Sequence, residues 1–293
     1  MWQLIEQTLA EATGEPFRIR STRAVTGGCI NDAWHLQGDQ RSFFVKINRA
    51  ERLLMFEAEA AGLTAIIASN SLRAPRPVAW GVADEHCWLA MEFIEFTSAC
   101  ARTDALLGEG LAAMHRHTSP AFGWECDNTI GSTPQPNPAT ADWISFFREQ
   151  RLGFQLALAA RNKASPSLLH LGQQLLAELP ALFGNYRPQA SLLHGDLWGG
   201  NWGADSRVMP VIFDPAVYFG DREADLAMTE LFGSFSRDFY AAYNAAWPLD
   251  PGYSARKRLY NLYHILNHFN LFGGSYAQQA EHMLKQILAD LTL

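Results

Sequence analysis

Three oxygen-bearing side chains stand at set intervals in the segment Leu193-His194-Gly195-Asp196-Leu197-Trp198-Gly199-Gly200-Asn201 and the run Val211-Ile212-Phe213-Asp214-Pro215. Asp196 and Asn201 are five positions apart, and Asp214 lies thirteen beyond Asn201. A carboxylate that can take a proton, followed by an amide and a second carboxylate, supplies a base and two hard oxygen donors of the kind magnesium prefers. Far upstream, Lys46 is embedded in the apolar run Phe43-Phe44-Val45-Lys46-Ile47. Of the four lysines in the chain it is the only one before Lys163. A half-buried lysine costs free energy unless a partner holds its charge. One embedded cation, one base and two metal donors, in that order, equip a site to move a phosphoryl group onto a hydroxyl.

The elements around these residues fall into two regions. Residues 18–25, 31–36 and 41–47 read as strands, with Gly27-Gly28 and Gly38-Asp39 as the intervening turns. Residues 51–68 read as a helix, because Leu53, Phe56, Ala60, Leu63 and Ile67 step by three and four along one stripe. Pro75 and Pro77 end that region, and residues 77–83 and 87–93 give two further strands. From Thr103 onward the pattern is helical, over 104–115, 141–160, 167–183, 225–246, 254–271 and 276–293. Residues 123–138, rich in Gly, Pro, Asn, Ser and Thr, read as loop, and 192–220 holds short apolar runs around polar clusters. Strands followed by a run of helices predict an α+β chain with an N-terminal β-rich lobe over 1–94 and a helical lobe over 95–293.

Composition narrows the function classes. With 48% hydrophobic and 18% charged residues, the 293-residue chain suits a globular protein with a substantial core. No stretch approaches the ~18 apolar residues that a bilayer span requires. The opening MWQLIEQTLAEATG carries Glu6 and Glu11 and no basic residue, so it reads as an amphipathic helix rather than a signal peptide. A net charge of −7 argues against a nucleic-acid partner, which needs a concentrated basic surface. Cys29, Cys87, Cys100 and Cys126 form no C-x-x-C pair, which excludes a recognisable zinc module and fits a reducing, cytoplasmic setting; the chain is expected to be a monomer. His115 and His117, two apart on a helix, cannot face one ligand, and His264 and His268 lack a third ligand nearby. Both pairs are read as structural or substrate-lining.

The spacing from His194 to Asn201 is that of the kinase catalytic loop H-R-D-x-x-x-x-N, here with Gly195 in place of Arg. The chain resembles the phosphotransferases related to aminoglycoside and choline kinases, and is most similar to the fructosamine kinase (ketosamine 3-kinase) family. The matching text is Thr26-Gly27-Gly28-Cys29-Ile30-Asn31, Phe44-Val45-Lys46, Met55-Phe56-Glu57-Ala58-Glu59, the Leu193 to Asn201 segment, Asp214-Pro215-Ala216, and Tyr218-Phe219-Gly220-Asp221-Arg222-Glu223-Ala224-Asp225-Leu226-Ala227. Residues 131–137 and 266–274 are similar as well, so the resemblance runs over nearly the whole chain.

This resemblance implies a protein-kinase-like two-lobed fold that uses ATP and Mg2+, with Asp196 as catalytic base and Asn201 and Asp214 as metal ligands. It implies that Lys46 contacts the α- and β-phosphates and is held by a carboxylate of the following helix. Periodicity leaves Glu57 and Glu59 open for that pairing, and the family pattern favours Glu59. Gly27 and Gly28 would cover the phosphates, and Glu92, Phe93 and Ile94 would form the adenine-binding hinge through their main chain. His194 and Asp225 would brace the catalytic loop, and Trp198, Asn267 and His268 would lie near the substrate. Cys29, in the phosphate-covering loop, is a candidate for redox control.

The implied acceptor is the sugar 3-hydroxyl of fructosamine- or ribulosamine-type ketosamines, on small amines or glycated protein amines, in deglycation repair. Two other readings share the machinery. One is a kinase of another small alcohol such as an aminoglycoside, choline or homoserine. The other is a non-catalytic nucleotide-binding regulator, which the joint presence of Lys46, Asp196, Asn201 and Asp214 opposes.

Overall fold

The computed structural model describes residues 1–26, 30–233 and 235–291. Gly27, Gly28 and Cys29, expected over the phosphates, lie outside the described residues. Helix α1 (Trp2–Thr13) precedes strands β1 (Ser21–Val25), β2 (Asp32–Gln37) and β3 (Ser42–Arg49), helix α2 (Leu53–Ala68), and strands β4 (Pro77–Ala83) and β5 (His86–Glu92). The five strands form one antiparallel sheet in the order β1-β2-β3-β5-β4. Alternation along β3 divides its side chains between two faces. Phe43, Val45 and Ile47 pack in one cluster with Ile5 and Leu9 of α1, which covers the outer face. Ser42, Phe44 and Lys46 therefore point the other way, toward the rest of the chain.

The second region begins with β6 (Phe96–Thr97), α3 (Ala101–His115) and β7 (Thr118–Ser119). Where the sequence suggests only loop, β8 (Asn128–Ile130) and β9 (Thr133–Gln135) pair as a short hairpin. The helix expected over 141–160 begins at Trp143, where Asp142 accepts the N–H of Ser145 at 2.7 Å. It runs as α4 (Trp143–Phe146), a π-helical segment Phe147–Gly153 and α5 (Phe154–Arg161). The π segment places Arg151 in the interior, where it stacks on Tyr218 with its guanidinium carbon 4.0 Å from the ring centre. Periodicity alone cannot register such a one-residue widening.

After α6 (Pro166–Glu178), the segment of short apolar runs resolves into β10 (Ala190–Leu193), β11 (Trp202–Asp205), β12 (Pro210–Ile212) and β13 (Tyr218–Gly220). The single helix expected over 225–246 is two, α7 (Glu223–Leu231) and α8 (Arg237–Ala246). The chain turns at Gly233, and Ser236 restarts the helix by accepting the Phe239 N–H at 3.3 Å. Helices α9 (Tyr253–Phe272) and α10 (Tyr276–Leu291) complete the chain.

One hydrophobic cluster joins the two regions beneath the site. Phe56 and Leu63 of α2 and Leu89 and Met91 of β5 pack with Leu107 and Leu111 of α3, Leu192, Leu197, Ile212 and Val217. Burial of α2 on both of its sides explains why its apolar residues spread around the helix instead of along one stripe.

Candidate active site

Strand β10 is buried at every position and delivers His194, Gly195 and Asp196 to the junction of the two regions. Asp225, in the first turn of α7 and 1% exposed, braces this loop. Its carboxylate accepts the His194 N–H at 2.7 Å and the Gly195 N–H at 2.8 Å, and lies 3.1 Å from His115 Nε2. Burial opposes its charge, but the His115 bond, the neighbouring histidines and the loop N–H groups hold the carboxyl below its ordinary pKa.

His194 acts as a rivet. Its Nδ1 accepts the Asp196 N–H at 3.2 Å, so Nε2 carries the proton and donates it to the Phe213 carbonyl at 3.0 Å. Burial pushes its pKa down, which keeps this neutral form. The imidazole thus ties the loop bearing Asp196 to the strand end bearing Asp214.

The glycine preceding Asp196 has a geometric cause. Gly195 has φ +83°, and a Cβ there would sit 2.1 Å from the Ala216 carbonyl oxygen. No side chain fits where the H-R-D loop carries Arg. Gly195→Ala is expected to cost about 2–4 kcal/mol of stability, from the backbone conformation and the overlap together. A thermal melt unchanged from wild type would show that the Ala216 segment yields freely.

Asn201 Nδ2 donates to the Asp196 carbonyl at 2.8 Å and to Asp196 Oδ2 at 3.2 Å, and approaches the Asp214 carbonyl at 3.5 Å. This leaves the amide oxygen as the group Asn201 can offer a cation. Asp214 takes a positive φ of 56°, and its Oδ1 meets Lys46 Nζ at 2.7 Å. Lys46 Nζ also meets Glu59 Oε1 at 2.6 Å, and both of those side chains are at least nine-tenths buried. Of the two carboxylates that periodicity leaves open, Glu59 is thus the one bonded to Lys46. Burial works against the ammonium, but Asp214 and Glu59 hold its pKa above the ordinary lysine value. Asp214, 44% exposed, and Asn201 present only oxygen to a metal, which fits magnesium completing its shell with phosphate and water. Among the described residues no group of three or more His, Cys, Asp or Glu forms a closed metal cage.

Burial and the neighbouring Asp214 charge raise the Asp196 pKa well above the ordinary carboxylate value, against the pull of the Asn201 hydrogen bond. The base role expected of Asp196 requires its deprotonated form, so with that role kcat/KM is expected to fall as pH drops through this raised pKa. The acid limb should lie clearly above the ordinary carboxylate range near pH 4. A pH–rate profile flat down to that range would contradict this environment for the base.

On the sheet face that carries Lys46, a cavity of about 500 Å3 lies toward the chain segment joining the two regions. His35 and Ser42 line it from the sheet, Phe93 and Ile94 from the connecting segment, and Asp205 from the second region. Phe93 stacks on His35 with ring centres 3.8 Å apart. The Glu92 N–H donates to the Arg76 carbonyl at 2.9 Å, and its carboxylate meets Arg73, which also lines the cavity, at 2.5 Å.

Arg73 carries no sequence signal, yet it also pairs with Asp205, and its carbonyl accepts the Ile212 N–H at 3.0 Å. It thereby ties the end of β5 and the stretch between α2 and β4 to β11 and β12. The hairpin β8–β9 is a second brace that the sequence conceals. Gln135 donates to the Ala216 carbonyl at 3.2 Å, and Asn128 to the Val217 carbonyl at 2.7 Å. Tyr263 donates to Gln135 at 2.7 Å, and Arg151 to Asn137 at 2.6 Å. The polar residues that suggest a surface loop are buried acceptors and donors under the catalytic segment.

The three residues expected near the substrate separate. Trp198 is 41% exposed and reaches His268 through Phe232, at centroid distances of 6.2 and 5.0 Å. Asn267 is 3% exposed and turned inward, its amide bonded to Gln155 at 3.2 Å and to the Ile130 carbonyl at 3.4 Å.

The two-lobed architecture is the protein-kinase-like fold. A thermostable mutant of the aminoglycoside phosphotransferase APH(4)-Ia shares it, with a TM-score of 0.65 at 17% identity over 97% of this chain and 98% of that one. Residues 1–290 match the fructosamine kinase family model, and the chain belongs to that family. It is 49% identical to a probable ketoamine kinase of Synechocystis, over 98% of this chain and 97% of that protein. It is 44% identical to the chloroplastic protein-ribulosamine 3-kinase of Arabidopsis thaliana, over 94% of this chain and 85% of the relative. The crystal structure of a Haemophilus somnus protein assigned as a fructosamine-3-kinase superposes with a TM-score of 0.90 at 31% identity, covering 98% of each chain. The protein is an ATP-dependent phosphotransferase.

Proposed function

We propose that the protein phosphorylates the sugar 3-hydroxyl of ketosamines of the fructosamine or ribulosamine type, in deglycation repair. The observation that carries this reading is the family match over residues 1–290. The N-terminal lobe, 1–94, holds ATP against the helical lobe, 95–293. Phe93 and Ile94 offer main-chain groups to adenine beside Glu92, and Gly27 and Gly28 cover the phosphates. Lys46, oriented by Glu59, contacts the α- and β-phosphates. Magnesium at Asn201 and Asp214 would neutralise charge on the phosphate oxygens.

Asp196 accepts the proton of the 3-hydroxyl as that oxygen bonds to the γ-phosphorus. The bond from phosphorus to the β,γ-bridging oxygen breaks, and ADP leaves with that electron pair. Asp225 and His194 keep the base in place. Trp198 and His268 face the acceptor, while Asn267 supports the Ile130 end of the hairpin from beneath. The protein is proposed to act as a cytoplasmic monomer on small ketosamines or glycated protein amines. Among the described residues no helix is long and apolar enough to cross a membrane.

A coupled ADP-release assay tests the acceptor. Turnover on ribulosamine, fructosamine or erythrulosamine is expected to exceed that on aminoglycosides, choline or homoserine. Preference for one of the latter alcohols would replace the ketosamine reading. ATP binding without turnover on any of them would mark a nucleotide-binding regulator.

A further inference from the structure

A chain of four buried polar side chains ends on the catalytic loop. Asp225 accepts the His194 and Gly195 N–H groups, and its Oδ2 lies 3.1 Å from His115 Nε2. The other ring nitrogen, His115 Nδ1, is 2.9 Å from the Tyr243 hydroxyl, which is 3.0 Å from Arg222 Nη1. His115, Tyr243, Arg222 and Asp225 are all buried. His115 comes from the end of α3, Tyr243 from α8, and Asp225 from the first turn of α7, with Arg222 just before it.

A missing side chain draws α3 and α8 together. At Gly108 an added Cβ would lie 2.3 Å from the Phe239 carbonyl oxygen, so the two backbones touch. His115 is seven positions beyond Gly108 and Tyr243 four beyond Phe239, two turns and one turn along the facing sides.

The chain has one consistent direction. A guanidinium carries donors only. Arg222 Nη1 therefore donates to the Tyr243 oxygen, and the single Tyr243 proton goes on to His115 Nδ1. With Nδ1 accepting, the ring proton sits on Nε2 and points at Asp225 Oδ2. The opposite tautomer would set a bare Nε2 lone pair against a carboxylate oxygen. Arg222 is itself anchored past the end of α8, donating to the Trp247 and Pro248 carbonyls at 3.0 and 2.6 Å and stacking on the Trp247 ring at 4.0 Å.

We propose that His115, Tyr243 and Arg222 are positioning residues for the catalytic loop. Their one-way relay fixes the Nε2–H tautomer of His115, and that N–H holds the Asp225 carboxylate at the angle from which it receives the two loop amides. The inference rests on Asp196 serving as the base, because the relay positions the loop that carries it. The three residues are buried, so their loss acts through the loop and falls on kcat, not on KM for ATP.

Two measurements test the relay. In the 15N–1H spectrum of the histidine side chains, with the His115 signal assigned by its loss in His115→Gln, wild type is expected to carry the proton on Nε2. A proton on Nδ1 overturns the relay. The second measurement is ADP release on whichever of the acceptors named above turns over fastest. His115→Leu is expected to lower kcat about 10–100-fold, with KM for ATP within about twofold of wild type. His115→Gln, whose amide nitrogen can donate from the Nε2 position, is expected to recover most of that loss. Tyr243→Phe should lower kcat about tenfold. Tyr260→Phe takes another buried hydroxyl of the same lobe away from Asp221, and should leave kcat within about twofold. Equal losses in His115→Leu and His115→Gln, or a loss in Tyr260→Phe that matches Tyr243→Phe, would reduce the chain to packing and overturn the relay. If His115→Leu does not fold, the wild-type spectrum and Tyr243→Phe decide. Asp196→Asn isolates the premise: if it keeps turnover, the base reading fails and the relay's role with it. An inactive Asp196→Asn beside a fully active His115→Leu overturns the relay alone.

Discussion

Asp196→Asn is expected to lower kcat by about 10²–10⁴-fold while raising the protein's stability. The loss follows from the proposed role of Asp196 in taking the hydroxyl proton. The gain follows from the same environment that tunes the base. Burial and the charge of Asp214 raise the Asp196 pKa in the folded state above its unfolded value. The native state then binds the proton more tightly, and stability falls as pH rises from the unfolded pKa through the folded one. Wherever the carboxylate is ionised, its charge is a net cost that asparagine does not carry, while the asparagine amide oxygen can still accept the Asn201 Nδ2–H that now reaches Asp196 Oδ2 at 3.2 Å. Steady-state kinetics and a thermal melt on one variant check both halves. A variant as inactive as expected but less stable than wild type would mean that Asp196 is held by contacts its charge does not strain.

Lys46→Met is the second large effect, and here activity and stability fall together. Removing one preorganised cation from a phosphoryl-transfer site costs about 10²–10³-fold in kcat. Lys46 also neutralises two carboxylates, and Glu59 is only 10% exposed. Removing one partner of a buried pair strands the other charge, at about 3–5 kcal/mol before the stranded group protonates. The sequence shows a lysine embedded in an apolar strand and in need of a partner, and the structure shows that it holds two carboxylates at once. Lys46→Met combined with Glu59→Gln should recover most of the stability and none of the activity. If the double variant melts no higher than Lys46→Met alone, Asp214 rather than Glu59 carries the stranded charge.

These contrasts follow from where each residue's neighbours come from. The three-strand, one-helix, two-strand order of the first region was legible because strands alternate and α2 is bounded by turn and proline signals. The run of helices after Thr103 was legible in type, and less so in its breaks. The end of α7, the restart at Ser236 and the π segment at 147–153 are decided by tertiary packing, which periodicity cannot see. The hairpin at 128–135 was hidden for a related reason. Its Asn and Gln side chains look like surface polarity until Ala216 and Val217 are found to be their partners, more than 80 residues away.

For the site, the sequence by itself determined the chemical cast and its order: a lysine in an apolar strand, then Asp196, Asn201 and Asp214 at fixed spacing. Local spacing fixes the catalytic loop because Asn201 must reach back across one turn to Asp196. Only the tertiary structure decided the long-range pairings. It put Glu59 on Lys46, joined Lys46 to Asp214 across 168 positions of chain, set Asp225 under the loop N–H groups, and turned Asn267 away from the cleft. It also supplied the reason for Gly195, which the sequence shows only as a departure from H-R-D: the Ala216 carbonyl occupies the space a side chain would need. Hydrogen bonds and close contacts between distant segments carry no periodic signature, so they become visible only when the chain is folded.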